Sequence, residues 1–296
     1  MTTILVIGGA GFVGNALIES LKKINQYHIY CLDDYSSSQH HFSFPYLQEN
    51  SIYHHSEHLT YIKGHSSSIF ESCDFFQPSI VYHFGEFSRI DRSWYETDAC
   101  FKSNLYGTTR VLDYCVHKKA KLVYSASSAI FDSLHVTPYT WTKSKMVELI
   151  KYYHQWHNLS YIITYFYNVY GPGQIATGPY ATVLGIFETQ FKQKKPLTVV
   201  LPGTQTRCFT HINDIIDGIH CSVMNLNNAE VPIFSEEEYS IIEVANYLSS
   251  EVIYLPERKG DRLNSSKPLK DILRLELNWE TKHKCIEYLK EIKETN

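Results

Sequence analysis

A glycine-rich turn set directly behind the first apolar run limits this chain more than any other feature. The run Thr3–Ile7 is short and rich in branched residues, and Gly8-Gly9-Ala10-Gly11-Phe12-Val13-Gly14 follows it without a break. The turn reads G-x-x-G-x-x-G between a strand and a helix. Glycine at 8 and 11 permits a tight turn and close approach of backbone to a pyrophosphate. Gly14 lets helix and sheet pack closely. The helix N-terminus then offers free N–H groups and positive dipole character to phosphates. A glycine turn without a ligand is the bland alternative, and the strand–turn–helix context speaks against it. Gly8, Gly11, Phe12, Val13 and Gly14 are therefore the first cofactor-binding candidates.

The first half of the chain continues in the same rhythm. Strand candidates are Thr3–Ile7, His28–Leu32, Leu59–Ile62, Ile80–Phe84, Lys121–Tyr124 and Tyr161–Tyr165. Helix candidates lie near Gly11–Lys23, Thr97–His117 and Tyr139–His157. Strands alternating with amphipathic segments predict an α/β fold: a doubly wound parallel (Rossmann) sheet, with ligands at the carboxyl ends of its strands. After about Asn168 the rhythm loosens. Gly/Pro turns at Gly171–Gly173 and Pro202–Gly203 flank a helix-like stretch, Tyr180–Lys192. This predicts a smaller C-terminal α/β substrate lobe. The expected division is residues 1–167 plus about 205–230 for the dinucleotide-binding domain, and about 168–204 with 231–296 for the lobe.

Three further features carry chemistry. Asp33 ends the second strand, 19 residues after Gly14, where a carboxylate can accept hydrogen bonds from the adenosine ribose. It would repel a 2′-phosphate, which favours NAD over NADP. Tyr139-Thr140-Trp141-Thr142-Lys143 is a Y-x-x-x-K whose two ends share a helix face. A free phenol titrates near pH ~10, too high for a base at neutral pH. An ammonium one turn away and a positive nicotinamide both favour the phenolate. Alone, such a pair is more readily a plain helix surface; its place after the fifth strand reverses that in favour of catalysis. Ser127, in Ser125-Ala126-Ser127-Ser128, can hydrogen-bond an oxygen that gains or loses a proton, although serine is also common in turns.

Composition excludes several other classes. Of 296 residues, 44% are hydrophobic, enough for a sizeable core, and the net charge of -4 provides no basic excess for nucleic acid or acidic membrane. The seven cysteines are scattered and form no C-x-x-C, which points to free thiols in a reducing compartment. No apolar stretch is long enough to span a bilayer, and the N-terminal run is broken by glycines, unlike a signal peptide. A cytoplasmic location is expected. His54, His55 and His58 have partial metal-ligand spacing, but they read as a polar loop, and no metal is expected.

In this order, GGAGFVG, Asp33, the serine cluster and YTWTK resemble the extended short-chain dehydrogenases, most of all the UDP-glucose 4-epimerase group of NAD-dependent sugar epimerases. Val81–Ser93 is similar to the family's fourth-strand segment beside NAD, and KSNLYGTTRVLDY to its N-x-x-G-T helix. The resemblance implies cofactor contacts at Ser36, Phe84, Gly85 and Asn104. It implies substrate contacts at Ser88, Arg89, Ser128, Asn168, Arg207 and Arg258, with the two late arginines suited to a pyrophosphate. It also implies a homodimer formed through the segments Thr97–His117 and Tyr139–His157.

Departures narrow the reaction. Ser128-Ala129 stand where dehydratases of the family carry an Asp-Glu pair and decarboxylases a glutamate. Gly64-His65 replaces the Gly-Asp that contacts adenine, and the stretch from Ser127 to Tyr139 is about half the family's span. The expectation is epimerisation of a nucleoside-diphosphate sugar, most simply a UDP-sugar, at C4 through a 4-keto intermediate. The alternatives are a sugar-nucleotide 4-ketoreductase or dehydrogenase, and a non-catalytic NAD(H)-binding regulator.

Overall fold

The computed structural model of the protein describes residues 1–36, 51–132, 137–268 and 270–295. Its main sheet is built from β1 (Thr2–Ile7), β2 (Tyr27–Asp33), β3 (Ile52–Ser56), β4 (Leu59–Lys63), β5 (Ile80–His83), β6 (Lys121–Ser127) and β7 (Tyr161–Phe166), and it is completed by β11 (Ala229–Ile233). Their order across the sheet is β11-β7-β6-β5-β1-β2-β4-β3. Every pairing is parallel except that of β3 with β4. From β1 the chain runs outward to β2 and β4, then returns to place β5, β6 and β7 on the other side. The order thus reverses between β1 and β5, and a doubly wound sheet opens its ligand crevice at that switch point.

The two faces of β1 show why the sheet is covered twice. Leu5 and Ile7 pack with Val111, Leu112, Met146 and Ile150 from the helices Thr108–Lys118 and Pro138–His157. Ile4 and Val6 pack with Leu17, Ile18, Ile215 and Ile219 from Phe12–Lys22 and Ile212–Asn225. Successive strand residues point to opposite faces, so an uninterrupted apolar run demands a layer of helices on each side.

The remaining strands form two small sheets: β8 (Asn168–Tyr170), β10 (Thr206–His211) and β12 (Glu238–Ser240) in the order β12-β10-β8, and β9 (Leu197–Val200) beside β13 (Val252–Leu255). Tyr170, Leu184, Phe187, Val199, Val244 and Leu289 build a separate core there. Leu273, although late in the chain, packs with the main sheet.

Two sequence expectations are corrected. The His54 segment is a strand, not a loop: Ile52–Ser56 pairs antiparallel with β4, and the His54 ring bonds Thr60 Oγ1 at 3.1 Å. The segment Thr97–His117 is not one uninterrupted α-helix. A π-helical stretch, Lys102–Gly107, separates Thr97–Phe101 from Thr108–Lys118. It brings Gly107 so close to Ser66 that an added Cβ would lie 2.2 Å from the serine hydroxyl. The π turn also carries Asn104, whose amide is tied to the loop after β5.

Candidate active site

A crevice of about 850 Å³ opens at the carboxyl ends of β1, β2, β5 and β6. That is within the range of cofactor and small-molecule sites, ~300–1,000 Å³. The glycine turn forms one wall. Gly8 has φ +78°, and a Cβ there would meet Gly85 N at 2.5 Å. A Cβ on Gly14 would lie 2.1 Å from Gly8 O. At Gly8 and Gly14 the turn therefore has no room for a side chain, and backbone lies bare on the crevice there. The helix Phe12–Lys22 begins there with Gly11 as N-cap, no side-chain cap and no acidic residue in its first turn. Its leading N–H groups and dipole suit a phosphate.

Asp33 closes the same end. One carboxylate oxygen accepts from Ala10 N at 2.8 Å, the other from Tyr35 N at 2.7 Å. Burial, reinforced by Asp34, pushes its pKa up to about 6 against the pull of these N–H groups. Bare backbone at the turn and a buried acceptor at the end of β2 together fit a dinucleotide with a free ribose diol. Ser36, Phe84 and Gly85 line the crevice beside them.

The helix Pro138–His157 carries the other end. Thr137 Oγ1 accepts from Thr140 N at 3.0 Å, Thr140 Oγ1 accepts from Thr137 N at 3.1 Å, and proline occupies the first helical position. This capping box and the proline fix where the helix starts, and so where Tyr139 points. Tyr139 and Lys143 are 7% and 4% exposed and both face the crevice, one turn apart. Lys143 Nζ donates to Ser125 O at 2.7 Å and to a carboxylate oxygen of Glu86. Ser127 ends β6 in the same wall, its Oγ accepting from Ala129 N at 3.2 Å; Ser128 follows, buried. In the connection from Ser127 to Tyr139, residues 133–136 lie outside the described residues.

The expected substrate contacts are also brought to this crevice, in unequal states. Ser88, Arg89, Asn168, Arg207 and Arg258 all line it. Arg207 is already engaged: Nη1 donates to Thr206 O at 2.7 Å and Arg262 O at 2.9 Å, and Nη2 to Asp261 at 2.6 Å. Arg258 is exposed. Arg89 lies with its guanidinium carbon 5.8 Å from the Tyr180 ring centre, and its Nε is buried without a hydrogen-bond partner among the described residues. Burial lowers its pKa, opposed by Tyr139, Asp91 and Tyr180.

Asn104 departs from expectation. It is fully buried and does not line the crevice. Its Oδ1 accepts from Phe87 N at 2.8 Å, and its Nδ2 donates to Phe87 O at 3.2 Å and Thr142 Oγ1 at 3.1 Å. The amide is spent on the loop after β5, so Asn104 shapes the wall from behind.

Sequence reasoning missed Glu86, Tyr180 and Asp261. Glu86 is the most informative of these: its side chain is 2% exposed, beside the catalytic candidates. A carboxylate within the apolar stretch that follows β5 was the available signal. Tyr180 and Asp261 come from irregular connections, where no periodicity predicts orientation.

Comparison with known proteins agrees with this geometry. The model of the NAD dependent epimerase/dehydratase family matches residues 4–235. The chain is 25% identical over 288 residues to a UDP-N-acetyl-alpha-D-glucosaminuronate decarboxylase of Bacillus cytotoxicus, covering 86% of this chain and 84% of that one. Its fold matches the UDP-glucose 4-epimerase of Thermotoga maritima, solved with UDP-glucose, with a TM-score of 0.85, 21% identity and coverage of 99% and 98%. It also matches the UDP-glucuronic acid 4-epimerase of Bacillus cereus, solved with UDP-glucuronic acid and NAD, with a TM-score of 0.81, 21% identity and full coverage of both chains (100% each). The glycine turn, the carboxylate at the end of β2 and a family match over most of the chain lead to one conclusion: this protein is an enzyme of the NAD dependent epimerase/dehydratase family, with NAD as its cofactor.

Proposed function

We propose that the protein epimerises a nucleoside-diphosphate sugar, a UDP-sugar in the simplest case, at C4 through a transient 4-keto sugar. One observation carries this reading. Tyr139 and Lys143 lie on one buried helix face in the same crevice as Gly8–Gly14 and Ser127. NAD supplies reversible hydride acceptance when bound along the glycine turn. Tyr139 takes the proton from the sugar 4-hydroxyl and later returns it. Lys143 supplies positive charge beside the phenol, and Ser127 hydrogen-bonds the reacting oxygen. Arg258, together with Arg207 once it shares its pairing with Asp261, holds the diphosphate. Arg89, Ser88, Ser128 and Asn168 border the sugar.

The small sheets form the sugar-nucleotide lobe in this reading. The strand Ala229–Ile233 and the helix Ile272–Leu277 go with the cofactor domain, since both pack on the main sheet. Epimerisation is favoured over decarboxylation and dehydration because Ser128-Ala129 offer no extra acid or base, and Glu86 is occupied by donors. A homodimer formed through the helices around Thr97–Lys118 and Pro138–His157 agrees with the exposed, stacked Tyr152 and Trp156 on the second of these. Light scattering on the purified protein tests the dimer.

The decisive experiment follows UDP-glucose and UDP-glucuronic acid by NMR in wild type and Tyr139→Phe. The C4 epimer should accumulate without net NADH, and Tyr139→Phe should lower turnover about 10²–10⁴-fold with NAD affinity nearly unchanged. Net NADH formation would favour a dehydrogenase, and carbon dioxide release a decarboxylase. Near-full turnover in Tyr139→Phe would remove the base assignment.

A further inference from the structure

Glu86 is a carboxylate placed where the sheet opens, and its surroundings are unusual for a crevice residue. One oxygen accepts from Thr108 Oγ1 at 2.7 Å and from Tyr124 OH at 3.1 Å, and the other accepts from Lys143 Nζ. All three partners can donate, which is the pattern an ionised carboxylate demands. Thr108 spends its proton on Glu86, so it must accept from His83 Nε2, 2.9 Å away. Burial, aided by Lys143, lowers the His83 pKa to about 3, so that ring is neutral. Burial raises the Glu86 pKa, and Lys143, Thr108 and Tyr124 pull it back. With all three donors aimed at it, the charges in this network are Glu86 and Lys143, which form a buried ion pair with side chains 2% and 5% exposed.

An ammonium has three N–H groups. Two are held, by Glu86 and by Ser125 O, leaving one for the crevice that Lys143 lines. A buried pair of this kind has a large mutual field, because little solvent screens it.

We propose that Glu86 is the counter-charge of Lys143: it fixes the ammonium in one orientation and cancels much of its field at the Tyr139 end of the crevice. Glu86 is thus a positioning residue, acting through Lys143. The consequence is electrostatic. Oxidised NAD carries a positive nicotinamide and reduced NAD does not, so a compensated lysine tolerates the oxidised form. Stripping the carboxylate leaves a bare buried ammonium, which opposes NAD⁺ more than NADH and favours the phenolate of Tyr139.

The test compares wild type, Glu86→Gln and Glu86→Asp as full-length protein. Dissociation constants for NADH (by its fluorescence) and NAD⁺ (by competition) are measured at neutral pH. In Glu86→Gln the ratio of the NAD⁺ constant to the NADH constant should rise about tenfold, for one unit charge lost in a poorly solvated site. Glu86→Asp keeps the charge and should stay within about twofold of wild type. In parallel, the acid limb of the turnover profile should move about one unit toward lower pH in Glu86→Gln. If Glu86→Gln does not fold, Glu86→Ala is measured instead; it removes the same charge and should move the ratio the same way by about tenfold. An unchanged ratio in the folded variant overturns the proposal, as does an equal shift in Glu86→Gln and Glu86→Asp. Only the pH arm rests on Tyr139 as the base. A shifted ratio in a protein that turns over no sugar nucleotide would support the counter-charge and overturn the epimerase reading instead.

Discussion

The two ends of the crevice are built on different principles. The end proposed for the cofactor is mostly backbone: a turn with no room for a side chain at Gly8 or Gly14, a helix N-terminus, and a carboxylate fixed by two N–H groups at the tip of a strand. The end proposed for the substrate is built from side chains, Arg207 on β10 and Arg89 and Arg258 on irregular segments. Arg207 is tied to Asp261, Arg258 is exposed, and Arg89 lies against Tyr180 with an Nε that has no hydrogen-bond partner among the described residues. Backbone geometry tolerates almost no substitution. Long side chains on loops can be exchanged one by one without disturbing the fold.

This contrast can be broken most sharply at Gly14. A methyl group there would sit 2.1 Å from Gly8 O, backbone against backbone, with nothing flexible to yield. Gly14→Ala should weaken NAD binding by more than about 100-fold or leave the protein misfolded, at a strain of about 1–3 kcal/mol or more. Calorimetric titration with NAD reads the affinity and circular dichroism the fold. Near-normal affinity would show that the backbone end is less rigid than argued.

Arg258→Ala probes the opposite end. It should raise the KM for a UDP-sugar about tenfold, the worth of a charged hydrogen bond. The NAD dissociation constant should not move. If both change together, the two ends are not independent.

The next effect is one of pH. The Asp33 carboxyl titrates near 6 in the folded chain, above its usual range of about 4. If the ionised form accepts the ribose hydroxyls, NAD affinity should fall about tenfold per unit as pH drops below 6, with proton release on binding. Asp33→Asn should flatten that dependence. The same raised pKa acts oppositely on the free protein. The folded chain binds this proton more tightly than the unfolded one, so the contribution to stability is present below pH ~4 and is lost as pH rises through about 6. Melting of Asp33→Asn against wild type at several pH values separates the two effects.

The smallest expected change is at the cap that aims Tyr139. Thr137→Ala removes the hydroxyl that accepts from Thr140 N and should cost about 1 kcal/mol of stability. Turnover should fall more than NAD binding, because the start of the helix sets the phenol. Equal losses in both would mean that the cap only stabilises.

Most of one wall of the crevice is legible in the sequence. Gly8–Gly14, Asp33, Ser127 and the Tyr139/Lys143 pair each follow a predicted strand or occupy a predicted helix, and regular elements carry their side chains in known directions. The structure departs from the sequence reading in one helix interior and at one sheet edge. Periodicity could not reveal the π turn at Lys102–Gly107, because inserting one residue in a helical turn leaves an apolar pattern that still reads as helix. Asn104 is placed beside the cofactor by the resemblance alone, whereas the π turn carries its amide to Phe87. His54 and its neighbours were read as loop because an edge strand facing water carries no apolar signature.

By itself, the sequence determined six of the eight strands of the main sheet, its glycine turn and the spacing that puts a phenol and an amine on one helix face. These follow from periodicity and from residues with single conformational roles. The tertiary structure alone decided that Glu86 and Lys143 form a buried pair, that Arg207 is held by Asp261, and that Arg89 meets Tyr180. Those partners are 57, 54 and 91 residues apart in the chain, so nothing local couples them. Only the packing of strands and loops brings such charges within reach of one another.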